Sequence, residues 1–227
     1  MIYGRTMAQA IDPNPLLDPS DLPYQLPRFS EISSEQYVPA IEQAMAEQRA
    51  AIDAILAAPE PVSFENTLVP LELSGMRLSR ALRIFHNLAS SDSNEALDAI
   101  DAELSPKLAA HNDAILLDAV LFARLEAAGE HAENLDAESA YLLERYLTWF
   151  RLAGAALNPE DKARLRQINS RMSQLSTTFK IELQADSNDS AVAFDTAAEL
   201  DGLTSGELSA AQQAAEDRGL PGTYLLA

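Results

Sequence analysis

The chain has 227 residues, 47% of them hydrophobic and 22% charged, which is enough apolar material for one sizeable domain or two small ones and excludes global disorder. Its 16 Lys and Arg stand against 35 Asp and Glu, and the resulting formal charge of −19 repels a nucleic-acid backbone or an anionic membrane surface. No run approaches the roughly 18 apolar residues of a spanning helix, and the lack of cysteine excludes disulfides, thiolate nucleophiles and Cys-containing zinc sites. A soluble protein is expected, with neither nucleic acid nor membrane among its partners.

Residues 1–12 carry one Arg and no apolar core of signal-peptide length, so they read as a disordered start or a remnant outside the fold, with the cytoplasm as the default location. Residues 13–32 form a Pro-rich extended strap: Pro13, Pro15, Pro19, Pro23 and Pro27 forbid a helix, and the Leu, Tyr24 and Phe29 between them are expected to dock on the body. A helical domain over 33–186 follows. Ser33 and Gln36 stand in capping-box spacing ahead of Tyr37, Ile41, Ala44, Met45, Ile52, Ile55 and Leu56, until Pro59 and Pro61 stop the first helix. Pro39 falls in its first turn, where it is tolerated.

The spacing predicts a second helix from near Asn66 to about Ser90, with Leu68, Leu71, Gly75, Leu78, Leu82 and Phe85 along one seam. Gly75 costs about 1 kcal/mol of helix propensity and lets another helix approach. A third helix, capped by Ser93, should break or kink at Pro106, and a short fourth runs from Asp118 to Ala128 before Gly129. The fifth, from Asp136 to Ala153, carries the most aromatic face, with Tyr146, Trp149 and Phe150.

The sixth helix has the clearest start: Asn158 as N-cap, Pro159 at the first position, then Glu160 and Asp161 where the dipole favours negative charge. Leu165, Ile168, Met172, Leu175, Phe179 and Leu183 make a seam expected to lie against the second or fifth helix along its length, as the spine of the fold. Over 187–227 the DSNDS turn cluster, a short AVAF strand and a helix from Ser205 to Arg218 are followed by a strand-like Thr223 to Leu226 with nothing after it to pair with, so the sequence reads as a truncated one. The fold class is mainly α: a multi-helix antiparallel bundle with a short β element after residue 186.

Chemistry is sparse. His86, His111 and His131 lack any ligand spacing; His86 reads as a packed or capping histidine, and His111 and His131 fall at or near predicted helix ends. Asp92, Glu95, Asp98, Asp101 and Glu103 are spread along a solvated helix rather than converging. Asp186, Asn188 and Ser190 mimic the opening of a calcium loop, but Ala191 replaces its Gly and Ala197 its bidentate Glu. No phosphate loop or nucleophile elbow is present. No catalytic, cofactor-binding or metal residue is assigned, and composition and spacing leave an interaction scaffold and an enzyme fragment equally open.

Longer strings are more informative. NPLL at Asn14 to Leu17, LPYQLPRF at Leu22 to Phe29, YVPAIEQAM at Tyr37 to Met45, FENTLVPLELSG at Phe64 to Gly75, ELSPKLAAHND at Glu103 to Asp113, LFARL at Leu121 to Leu125 and RLAGAAL at Arg151 to Leu157 resemble, in this order, the N-terminal region of the thimet-oligopeptidase family of zinc metallopeptidases. LPYQLPRF and RLAGAAL resemble its peptidyl-dipeptidase branch more than its oligopeptidase A branch.

The resemblance implies a helical peptidase whose two regions face each other across a channel, with zinc held by a His-Glu-x-x-His motif and a later glutamate. That motif is not in this sequence, so no catalytic residue carries over, and the resemblance implies that the short strand and helix of 187–227 lead into a missing catalytic region. The chain alone is expected to be inactive and to form a wall of the channel, with short peptides and the catalytic half of its own chain as partners. Without that half it should expose an apolar patch and self-associate. A stand-alone helical binding protein with the peptidase N-terminal fold, an oligopeptidase A-type endopeptidase fragment, and an unrelated acidic scaffold are the alternatives.

Overall fold

A computed structural model describes residues 14–130 and 134–226; the reading of residues 1–12, and of Pro13, lies outside them. The chain divides into two compact units, the first ending at Gln174 and the second beginning at Leu175. Eight α-helices and one two-stranded sheet are present among the described residues, a mainly α helical bundle in keeping with the expected class.

In the first unit the strap contains no α-helix, only single 3-10 turns at Pro23–Gln25 and Phe29–Glu31. Leu16 and Leu17 dock in the core and Ile32 packs against it, whereas Tyr24 is 97% exposed and Leu26 and Phe29 are also exposed, so the strap is anchored apolarly at its two ends and not along its middle. Arg77 holds that start from the side, donating to the Leu17 carbonyl at 3.4 Å and to Asp18 at 3.0 Å.

Helix α1 (Tyr37–Ala57) is entered through the expected capping box, in which the Ser33 N–H donates to Gln36 Oε1 at 2.8 Å. It stops at Ala58, held extended by the following Pro59. The seam predicted as one helix is two, α2 (Phe64–Ser74) and α3 (Met76–Ser91). Ser63 caps α2, accepting from the Asn66 N–H at 3.2 Å. Gly75 interrupts the seam, and the reason is steric as well as intrinsic: a Cβ there would come within 2.9 Å of Gln48 Nε2 on α1.

Helix α4 (Glu95–Leu116) begins one residue later than expected, with Asn94 Oδ1 accepting from the Ala96 and Leu97 N–H groups. It runs unbroken through Pro106, contrary to expectation. A mid-helix Pro costs about 3 kcal/mol, but a break would forfeit burial of Leu97, Leu104 and Ile115 along the same helix, each worth about 1.5–3 kcal/mol. Ala102, whose carbonyl loses its partner, is exposed to water.

Helices α5 (Ala119–Gly129) and α6 (Ala137–Ala153) start at the aspartates expected to cap them, Asp118 and Asp136. Gly154 closes α6 at φ 101. Two apolar clusters result. Leu16, Tyr37, Ile41, Phe85 and Leu104 centre one, joining strap, α1, α3 and α4; Ile52, Leu68, Leu121, Leu143 and Phe150 centre the other, joining the end of α1 to α2, α5 and α6.

Helix α7 (Pro159–Asp189) opens as predicted, Asn158 Oδ1 accepting from the Asp161 N–H at 2.9 Å. Its seam is not the expected spine. Within the first unit Lys162 is buried and Asn169 donates to Asp113 at 2.6 Å, but Ile168 and Met172 are exposed. In the second unit Leu175, Phe179 and Leu183 are exposed as well. The DSNDS cluster is not a turn either; the helix continues to Asp189.

The second unit also holds β1 (Val192–Phe194), α8 (Ser205–Asp217) and β2 (Tyr224–Leu226). The strand expected to lack a partner has one earlier in the chain: β2 pairs antiparallel with β1, Val192 opposite Leu226 and Phe194 opposite Tyr224. Leu225 is buried, as are Ala211 and Ala215 of α8, which packs on β2.

Candidate functional site

The residues singled out in the sequence do not converge. His86 is exposed on α3, its ring 5.5 Å from that of Phe85. His111 is not near a helix end, because α4 continues through Pro106; it is buried and its Nε2–H donates to Gln48 Oε1 at 2.7 Å. Burial, with Arg49 nearby, holds its pKa below the ordinary histidine value and keeps the ring neutral. His131 lies outside the described residues.

The acidic series is dispersed. Asp92 caps the end of α3, Glu95 and Asp98 sit in the first turn of α4, Ser105 donates to Asp101 at 3.1 Å, and Glu103 pairs with Lys107 at 2.6 Å. Asp186 lies within α7 and not in a loop. Among the described residues no group of three or more His, Asp or Glu could hold a metal ion.

A groove in the first unit brings other residues together. It has a volume of about 790 Å³ and lies between the strap, the α2–α3 junction and α6, with Pro27, Met76, Arg80, Arg83 and Trp149 among its lining residues. Helix α3 starts afresh at Met76, and Arg77, Arg80 and Arg83 follow at three-residue steps on one side of it. On the opposite wall Tyr146 donates to Glu72, and Arg145 stacks over the Trp149 ring at 5.2 Å. Burial and the Glu72 carboxylate push the Tyr146 phenol well above its usual range, so it remains a donor.

The three arginines differ. Arg77 is engaged by Glu47 at 2.7 Å and by Asp18 at 3.0 Å. Arg83 is exposed and forms no ion pair among the described residues. Arg80 donates only from Nη1, to the Gln25 carbonyl at 3.5 Å, while its Nε and Nη2 are buried without a partner. An unpartnered buried donor costs about 1–3 kcal/mol, more when charged. The signal for this rail was present in the sequence as arginines at 77, 80 and 83 on one helix of a strongly acidic chain.

Comparison with known proteins finds this chain's relatives among peptidases. The chain is 40% identical over 209 residues, 91% of its length, to the dipeptidyl carboxypeptidase of Salmonella typhimurium, and 35% identical over 215 residues, 94% of its length, to that of Escherichia coli. It is 30% identical over 211 residues, 92% of its length, to the oligopeptidase A of Haemophilus influenzae. No protein-family model matches it. The chain belongs to the thimet-oligopeptidase family, and it spans about a third of the length of the curated relatives it matches: 31%, 32% and 30% of the three. No helix among the described residues is long and apolar enough to cross a membrane.

Proposed function

We propose that this chain is a non-catalytic N-terminal portion of a cytoplasmic zinc-dependent peptidyl-dipeptidase, which removes dipeptides from the free C-terminus of short peptides, and that it forms a wall of the substrate channel. The observation that carries this reading is 40% identity along 91% of the chain to a protein of which the match occupies only 31%. Higher identity to two dipeptidyl carboxypeptidases than to an oligopeptidase A favours the peptidyl-dipeptidase branch over the endopeptidase one.

The described residues do not fit zinc, since no cluster of His, Asp or Glu offers it a donor set. In this reading the metal and the general base belong to the remaining two-thirds of the protein. The exposed apolar row on α7, including Met172 and Phe179, supports burial against that remainder. Without it the chain self-associates.

Two measurements test the proposal. Reading the source frame past the codon for Ala227 should reveal His-Glu-x-x-His and a later glutamate; a stop codon there would leave a stand-alone binding protein instead. The purified chain should release no dipeptide from short peptides, and the remainder co-expressed with it should do so in a chelator-sensitive way. Chelator-sensitive dipeptide release by the chain alone would overturn the division of labour.

A further inference from the structure

We propose that the groove beside α3 binds an acidic peptide, with the Arg80 guanidinium as the anchor for an Asp or Glu side chain and Arg83 as the second cation. The proposal stands independently of the peptidase reading, since it rests only on the geometry of the first unit.

The first support is which donors of Arg80 are idle. Nε–H and one N–H of Nη2 point the same way and form the edge that takes both oxygens of one carboxylate, and these are the two atoms left without partners. Arg77, three residues earlier, has its carboxylates already.

The second support is the cover. The idle edge is buried in this structure, and the group that Arg80 does reach is the Gln25 carbonyl, at the 3.5 Å limit of a hydrogen bond. Gln25 and its neighbour Tyr24 both hold left-handed backbone, φ 54 and 59, which side-chain-bearing residues adopt at a cost, and Tyr24 is 97% exposed. The turn is closed by its own Gln25 N–H to Leu22 carbonyl bond at 2.9 Å, but its bond to Arg80 is long, so a ligand that pairs the guanidinium better replaces the Gln25 carbonyl there.

The third is charge and shape. A chain of formal charge −19 repels acidic peptides over most of its surface, and within this groove Arg80 and Arg83, which lack carboxylates, supply the local attraction, Glu72 being engaged by Tyr146. The two lie about 4.5 Å apart along the helix axis. An extended peptide sets alternate side chains about 7 Å apart on one face, within reach of two long arginines, whereas a single terminal carboxylate would occupy only one. Met76 and Trp149 offer apolar contact, and about 790 Å³ is in the range of small-ligand sites, room for a short peptide segment.

Trp149 is the sole tryptophan of the chain, so its emission reports on the groove. The probe is an acetylated and amidated Ala-Glu-Ala-Glu peptide, titrated by tryptophan fluorescence and calorimetry against its Ala-Gln-Ala-Gln counterpart and against tetra-alanine with a free carboxyl terminus. The Glu peptide should bind at least tenfold more tightly than either, and weaken as salt is raised. Arg80→Gln should weaken it at least tenfold and Arg83→Gln, an exposed position that leaves the fold untouched, several-fold. Equal binding of the Gln peptide, equal or tighter binding of the free-carboxyl tetra-alanine, or unchanged affinity in both variants would overturn the proposal, as would neither heat nor an emission change with the Glu peptide up to millimolar concentration.

Discussion

Gln48 accepts from the buried His111 at 2.7 Å while its own amide nitrogen occupies the space that a side chain on residue 75 would need. One residue of α1 thus meets both the buried histidine of α4 and the glycine that separates α2 from α3. The amide nitrogen also donates to Ser74 Oγ at 3.5 Å, which ties α1 to the last residue of α2, next to Gly75.

Gly75→Ala should therefore depend on Gln48. Gly75 has φ −87, which alanine adopts freely, and alanine there gains about 1 kcal/mol of helix propensity. In the native background displacement of Gln48 from His111 offsets that gain. In a Gln48→Ala background the substitution should stabilise by about 1 kcal/mol more than in the native protein. Urea unfolding of the four species gives the coupling; strict additivity would show that Gln48 moves aside without cost.

The stability of the first unit should fall in mild acid through His111. Its folded pKa lies below the ordinary value of 6.5, so as pH falls the unfolded chain takes up the proton first. The stabilisation is fully present above about pH 6.5 and is lost as pH drops through the folded value. Unfolding midpoints from about pH 7.5 to about pH 5 should decline more steeply in the native protein than in His111→Gln. Parallel declines would mean that the ring titrates alike in both states.

Tyr37→Phe should cost nothing. The ring packs edge-on against Phe85 at 5.2 Å, yet its hydroxyl is buried without a hydrogen-bond partner. Removing that oxygen keeps the ring contact and relieves a desolvated group, for an expected gain of up to about 1 kcal/mol. A loss of that size in thermal unfolding would reveal a partner for the hydroxyl.

Gly154→Ala should destabilise by about 2 kcal/mol or more. The left-handed backbone alone costs about 1–2 kcal/mol for alanine, and a Cβ would meet Leu165 Cδ2 at 2.8 Å and Leu157 Cδ1 at 2.9 Å. Leu165→Ala should recover part of the loss. A neutral Gly154→Ala would show that the loop after α6 reorganises freely.

What could be read in the sequence alone was local. The caps at Asp118, Asp136 and Asn158, the Ser33–Gln36 box and the stop at Pro59 each depend on a side chain and backbone groups within a few residues, so nearest neighbours decide them. The order of family strings was equally legible, since it needs no contact at all.

Tertiary structure decided the rest. Pro106 stays within a helix because the flanking Leu104 and Ile115 are buried in separate clusters, which outweighs the bond it removes. The seam breaks at Gly75, where a side chain would crowd Gln48, a residue distant in sequence. The last strand finds its partner at Val192–Phe194, and Arg80 is left with an idle edge in a chain rich in carboxylates. A periodic pattern states that a face is apolar or a residue charged; which surface meets it depends on long-range packing, where burial and desolvation energies are summed over residues far apart in the chain.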